Sequence, residues 1–163
     1  MKAIRFTPEQ AILKIKQYCS YQERSHKEVK EKLYSFGLYK TDVEKIISQI
    51  IEEKYLNEER FAIQFAGGKF RMKQWGKAKI RYALKEKYVS DYCIKKALAS
   101  IDEQDYRKVF LKLAKNKIAV LANETNILSK KRKLQNYLIG KGYEASEIHA
   151  IIKKLLDKKQ LET

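Results

Sequence analysis

The sequence has little of what ends a helix. It contains one proline, Pro8, and six glycines in 163 residues. So few turn formers exclude a sandwich or barrel of many short strands and favour helix. Cys19 and Cys93 stand far apart. Neither belongs to a CxxC pair or to a metal-ligand cluster, which leaves free thiols in a reducing cytoplasm as the expectation. The two histidines, His26 and His149, are isolated, and HExxH, Walker, nucleophile-elbow and dinucleotide patterns are all missing. A metal-dependent nuclease would need several carboxylates to converge, whereas the carboxylates here sit beside basic residues at helical spacing. A protein that is not an enzyme, with no cofactor and no metal, is therefore expected. No window approaches the ~20 apolar residues of a membrane span, and Met1–Phe6 lacks the apolar core of a signal peptide.

Acidic residues are also scarce, with 20 Asp and Glu against 36 Lys and Arg, for a net charge of +16. That excess points to a polyanionic partner, either nucleic acid or an acidic protein surface, more than to a merely solubilising surface.

What is present is a repeat. Val29, Ile80 and Leu134 fall into one register, and so do Leu33, Leu84 and Leu138. Next come Leu38, Val89 and Tyr143; Val43, Ile94 and Ile148; Ile46, Ala97 and Ile151; Ile47, Leu98 and Ile152; and Ile50, Ile101 and Leu155. The offsets are 51 and 54 residues. Val29 and Leu33 are one helical turn apart, and Val43, Ile46, Ile47 and Ile50 make an i, i+3, i+4, i+7 stripe. Gly37 and Gly142 suit left-handed helix ends in the intervening turn, where the middle copy has Tyr88. A further amphipathic stretch precedes each copy, over 8–19, 58–70 and 105–121.

The chain therefore reads as all-α: three tandem three-helix, helix–turn–helix-like repeats at 1–55, 56–102 and 103–163, in an elongated or curved arrangement. Thr7-Pro8-Glu9-Gln10, Ser25-His26-Lys27-Glu28 and Thr41-Asp42-Val43-Glu44 read as capping boxes, with Ser90 and Ser146 as further caps. Gly67-Gly68 either permits close packing or kinks its helix. Glu58, Glu59 and Arg60 read as helix-end electrostatics with local pairing of Arg60.

Several segments resemble one family. Arg24-Ser25 is followed by Val29 and Leu33, Tyr55-Leu56-Asn57-Glu58-Glu59-Arg60-Phe61-Ala62 runs from an acidic turn into Arg-Phe-Ala, Arg71 precedes Trp75-Gly76, Lys79-Ile80 and Leu84, and Gly142-Tyr143 precedes Ile148. Their order and spacing, over residues 8–157, resemble the RecX family of recombination regulators. Glu58 stands where an aspartate is usual in the family, and Tyr88 where a glycine is. The resemblance implies a monomeric cytoplasmic protein of homologous recombination, DNA repair and the SOS response. It would bind the RecA filament and inhibit its recombinase and ATPase activities. The alternative is a non-specific DNA-binding helical-repeat protein that acts without RecA.

Two basic clusters are the candidate RecA- and DNA-binding residues. Lys69, Arg71, Lys73, Lys77, Lys79, Arg81, Lys85 and Lys87 share a segment with one acid, Glu86. The four-residue spacing of Lys73, Lys77, Arg81 and Lys85 predicts a single ridge along the fifth helix, whose self-repulsion an anion would relieve. Trp75 reads either as a stacking or anchoring residue or as a packed one. Lys130, Lys131, Arg132 and Lys133 open the eighth helix, with Lys141 further along it. Lys153, Lys154, Lys158 and Lys159 follow, and Lys112, Lys115 and Lys117 lie in the same half. No base-reading pattern is visible, so single- or double-stranded DNA would be bound without sequence specificity. Nothing suggests a membrane partner.

Overall fold

Capping chemistry starts the chain as its sequence predicts. The Gln10 N–H donates to Thr7 Oγ1 (3.2 Å) and the Thr7 N–H to Gln10 Oε1 (3.0 Å), opening α1 (Pro8–Tyr21) with proline in its first turn. The same reciprocal pair links Ser25 and Glu28 at the start of α2 (His26–Ser35). The computed structural model describes residues 5–157, so Lys158 and Lys159 lie outside the described residues. It continues with α3 (Lys40–Glu52), α4 (Glu58–Lys73), α5 (Lys77–Glu86), α6 (Asp91–Ala99), α7 (Glu103–Val120), α8 (Ile127–Lys141), α9 (Ala145–Ile152) and a π-helical turn, Lys153–Asp157. No strand occurs among the described residues. The protein is all-α.

Two predicted caps are displaced. α3 begins at Lys40 behind Tyr39, which makes no side-chain cap bond, so Thr41 already lies inside the helix. α9 begins behind Glu144, which puts Ser146 inside it too. In both cases the chain enters the helix earlier than the side-chain signal suggests. Ser90 caps as expected, its Oγ accepting from the Cys93 N–H at 3.4 Å.

The register positions are the core. Val29, Ile80, Leu134, Leu33, Leu84 and Leu138 are all fully buried, and Leu38, Val89 and Tyr143 follow at 8%, 7% and 3% exposure. Only Ile47, Ile152 and Leu155 of the 21 aligned residues are half-buried.

By spatial contact the chain divides into two units. One comprises the described residues up to Phe65 with Ala83–Ala97; the other comprises Ala66–Tyr82 with the residues from Leu98 on. In the first unit α1, α2 and α3 enclose an aliphatic core of Ile15, Val29, Leu33, Val43, Ile46 and Ile50, closed by Leu56. In the second, aromatic rings run from Phe70 to Tyr106 (5.8 Å between centroids), to Tyr143 (5.3 Å) and to Phe110 (4.6 Å, stacked). α4 runs through Gly67 and Gly68 without interruption.

Candidate filament and nucleic-acid interface

The first basic cluster surrounds the corner between α4 and α5. α4 stops because Gln74 turns left-handed (φ 57°). Its N–H donates to the Phe70 carbonyl (2.9 Å) and the Trp75 N–H to the Lys69 carbonyl (3.4 Å). The opening N–H groups of α5 have no partners within their own helix. They find them elsewhere in the second unit: Gly76 donates to the Lys141 carbonyl (2.7 Å), Ala78 to the Gly142 carbonyl (3.0 Å) and Lys77 to the Tyr106 hydroxyl (2.9 Å). The positive end of α5 thus meets the negative end of α8, a favourable dipole arrangement. Burial pushes the Tyr106 phenol far above its ordinary pKa, so it stays a neutral hydroxyl.

This approach requires glycine on both sides. A Cβ on Gly76 would sit 2.3 Å from the Gly142 carbonyl oxygen, and Gly142 itself has φ 98°. Tyr143 closes the corner, its hydroxyl donating to the Gln74 carbonyl (3.2 Å).

Cations fasten the same corner. Lys79 Nζ donates to the Gly140 carbonyl (3.1 Å) and Lys141 Nζ to the Lys73 carbonyl (3.4 Å), each at a helix C-terminus, where positive charge is stabilising. Lys77 pairs with Glu103 (2.8 Å) and Arg81 with Glu144 (3.7 Å). The Lys77 hydrogen bond and charge hold the Glu103 carboxyl below the usual carboxylate range. Half-buried Trp75 has the Lys69 ammonium 5.0 Å and the Lys79 ammonium 4.7 Å from its ring.

At the second cluster the Asn126 side chain caps α8, accepting from the Leu128 and Ser129 N–H groups (3.0 and 3.2 Å). Lys131 pairs with Asp157 and Lys133 with Glu124, both at 2.6 Å. Arg132 is exposed, and Lys130 is half-buried.

Comparison with known proteins bears on what this framework is. The model of the second three-helix domain of RecX matches residues 57–98. Regulatory protein RecX of Clostridium perfringens (strain 13 / Type A) is 29% identical over 140 residues, covering 85% of this chain and 65% of its own length. Regulatory protein RecX of Clostridium acetobutylicum is 30% identical over 135 residues, covering 81% of this chain and 62% of its own length. The crystal structure of RecX from Lactobacillus salivarius shares the fold, with a TM-score of 0.81 at 23% identity over 91% of this chain and 96% of that one. The chain is similar to RecX proteins over most of its length. It spans just under two thirds of the length of these curated RecX relatives.

The single ridge along α5 is not found. Lys73 belongs to the last turn of α4, and the left-handed Gln74 separates it from Lys77, Arg81 and Lys85. The repulsion expected along that ridge is answered internally, by Glu103 and Glu144. Among the basic residues over 69–87 and 130–133, those exposed and without an acidic partner among the described residues are Arg71, Lys73 and Arg132 in the second unit and Lys85 in the first. Arg60 does not pair locally: it meets Glu23, 37 residues away, and donates to the Lys54 carbonyl (3.0 Å).

Sequence reasoning missed Gly76, Tyr106 and Gly142 as the contacts that set the corner. Trp75-Gly76 and Gly142-Tyr143 are conspicuous as motifs, but their meeting spans 66 residues. An open cleft of about 630 Å³ in the first unit is lined by Glu23, Asn57, Glu59, Arg60, Ile63 and Gln64. No group of three or more His, Cys, Asp or Glu among the described residues is disposed to hold a metal ion. No helix among them is long and apolar enough to cross a membrane.

Proposed function

We propose that this chain is a cytoplasmic, non-catalytic regulator that binds the RecA–DNA filament and inhibits its strand-exchange and ATPase activities. The observation that carries the reading is the match of residues 57–98 to the second RecX three-helix domain, since that segment bears the first basic cluster. A net charge of +16 suits a filament built on a polyanion. In this reading the chain acts as a monomer of three repeats, 1–55, 56–102 and 103–163. Arg71, Lys73, Lys85 and Arg132 offer charge to DNA phosphate or to an acidic filament surface. Lys69, Trp75, Lys77, Lys79, Arg81, Lys131 and Lys133 border those contacts while also serving the fold, and half-buried Lys130 stands beside them in sequence.

The test is a titration of the chain into RecA-dependent strand exchange and ATP hydrolysis, with a pull-down on DNA with and without RecA and ATP over a salt series. Inhibition at low ratios of chain to RecA, and capture that depends on RecA, are the expected results. An unchanged rate across a saturating titration refutes the reading. Tight capture on DNA alone, indifferent to RecA, favours the non-specific DNA-binding alternative.

A further inference from the structure

The turns between the second and third helices of the repeats have the same backbone conformation but not the same residue. Gly37 (φ 82°), Tyr88 (φ 57°) and Gly142 (φ 98°) are all left-handed, in equivalent positions after Leu33, Leu84 and Leu138. The Tyr88 turn is closed as such helix ends are, with the Tyr88 N–H donating to the Lys85 carbonyl (2.9 Å) and the Val89 N–H to the Leu84 carbonyl (3.2 Å). A bulky side chain is disfavoured at positive φ, and glycine is the residue the backbone favours there. Tyrosine at this site therefore works against the local backbone preference.

Packing gives no compensation, because Tyr88 is 80% exposed. What the ring meets is Lys27 of α2, whose ammonium lies 4.9 Å from the ring centroid and donates to the Glu86 carbonyl (3.2 Å). Four residues on, Tyr92 repeats the pattern, 64% exposed with the Lys96 ammonium 5.6 Å from its ring. All of these residues belong to the first unit. The turn is thus strained where strain is unnecessary, and the strain holds an aromatic ring in water beside an ammonium. Backbone strain kept without a packing return is a mark of a functional position.

We infer that Tyr88, with Tyr92 beside it in sequence, is a stacking platform for the bases of single-stranded nucleic acid, with Lys27 and Lys96 meeting the phosphates. An aromatic ring with a cation at one face still offers a π-surface to a base, and a base can reach it only where it is not already stacked in a duplex. The strong positive charge of the chain matches the backbone of that ligand. The inference rests on the DNA contact of the proposed function and names a site for it outside the α4–α5 corner.

Replacement of Tyr88 by glycine separates binding from folding. Full-length wild type, Tyr88→Gly and Tyr88→Phe would be titrated against labelled oligo(dT) over a salt series, and their urea midpoints measured. The glycine variant should keep or raise the urea midpoint and bind about tenfold or more weakly, with the slope of log K against log salt unchanged because the same phosphates stay neutralised. The phenylalanine variant should bind like wild type. Wild-type affinity in Tyr88→Gly, or a urea midpoint that falls together with affinity, overturns the inference while wild-type oligonucleotide binding leaves the proposed DNA contact standing. If wild type itself does not bind the oligonucleotide, the inference falls, while the proposed function, whose capture depends on RecA, is judged by the RecA titration. If Tyr88→Gly binds oligo(dT) normally but no longer associates with RecA, the ring is a protein contact and the inference is likewise overturned.

Discussion

The two ends of α5 use their residues in opposite ways. At its start the polar groups are answered inside the second unit. Gly76, Lys77 and Ala78 give their N–H groups to the α8 terminus and to Tyr106, and Lys77, Lys79 and Arg81 are held by Glu103, the Gly140 carbonyl and Glu144. At its end, within the first unit, Tyr88 takes up a glycine-like conformation and leaves its ring in solvent. A dense run of lysine and arginine is therefore not one surface. Part of it is bracing for the fold, and the remainder is available to a partner.

The strongest way to break this contrast is at the braced end. In Gly76→Ala the new methyl would collide with backbone, 2.3 Å from the Gly142 oxygen and 2.6 Å from the Tyr143 nitrogen, so no side-chain rotation can relieve it. The α5–α8 junction must open, and a loss of about 3 kcal/mol is expected, at the upper end of ordinary point substitutions. Urea unfolding measures it. A loss below about 1 kcal/mol would mean that the close approach is not a constraint on the fold.

A charge comparison sharpens the contrast. Arg71→Glu with Lys73→Glu reverses two outward cations, and Lys77→Glu with Arg81→Glu reverses two braced ones. The first pair should leave stability within about 0.5 kcal/mol. If its members meet phosphate, it should also lower the salt slope of DNA or filament binding by roughly 0.7–0.9 for each phosphate no longer neutralised. The second pair sets new carboxylates beside Glu103 and Glu144. It should destabilise by about 1 kcal/mol, a surface-pair magnitude, with a smaller change in salt slope. Equal salt slopes for the two pairs would erase the distinction between bracing and binding cations.

The same distinction marks how far the sequence can be read. The buried register at Val29, Ile80, Leu134 and their successors is legible because helical periodicity is local and repeats itself three times. The caps at Thr7, Ser25 and Ser90 are legible for the same reason. The break at Gln74 is not, since glutamine carries no signal for positive φ, and the four-residue spacing consequently places Lys73 on the wrong helix. The partners of Lys77 and Arg81 are hidden too. Glu103 lies 26 residues from Lys77 and Glu144 lies 63 from Arg81, distances that only the folded chain closes. The basic segments are visible in composition, but which cations the fold consumes is not.

The smallest expected effect lies beside the exposed turn, at Glu28. Burial tends to raise the pKa of this carboxyl, but the Ser25 N–H and the ammonium of Lys87, 3.1 Å away, outweigh it and hold the group below the usual carboxylate range. A carboxyl whose pKa is depressed on folding contributes stability that is complete above its unfolded pKa of about 4.3 and is lost as pH falls through the lower folded value. With a quarter of the side chain exposed, that contribution should stay below about 1 kcal/mol. Glu28→Gln preserves the capping geometry, because glutamine serves the same box, but removes the charge facing Lys87. Wild type should exceed this variant in urea midpoint at pH 7, and the gap should be smaller at pH 3, as falling pH moves Glu28 toward protonation. A gap of the same size at both pH values would show that the Lys87 pair adds no pH-dependent stability next to Tyr88, leaving the hydrogen bonds of the Ser25 cap as what holds α2 at that turn.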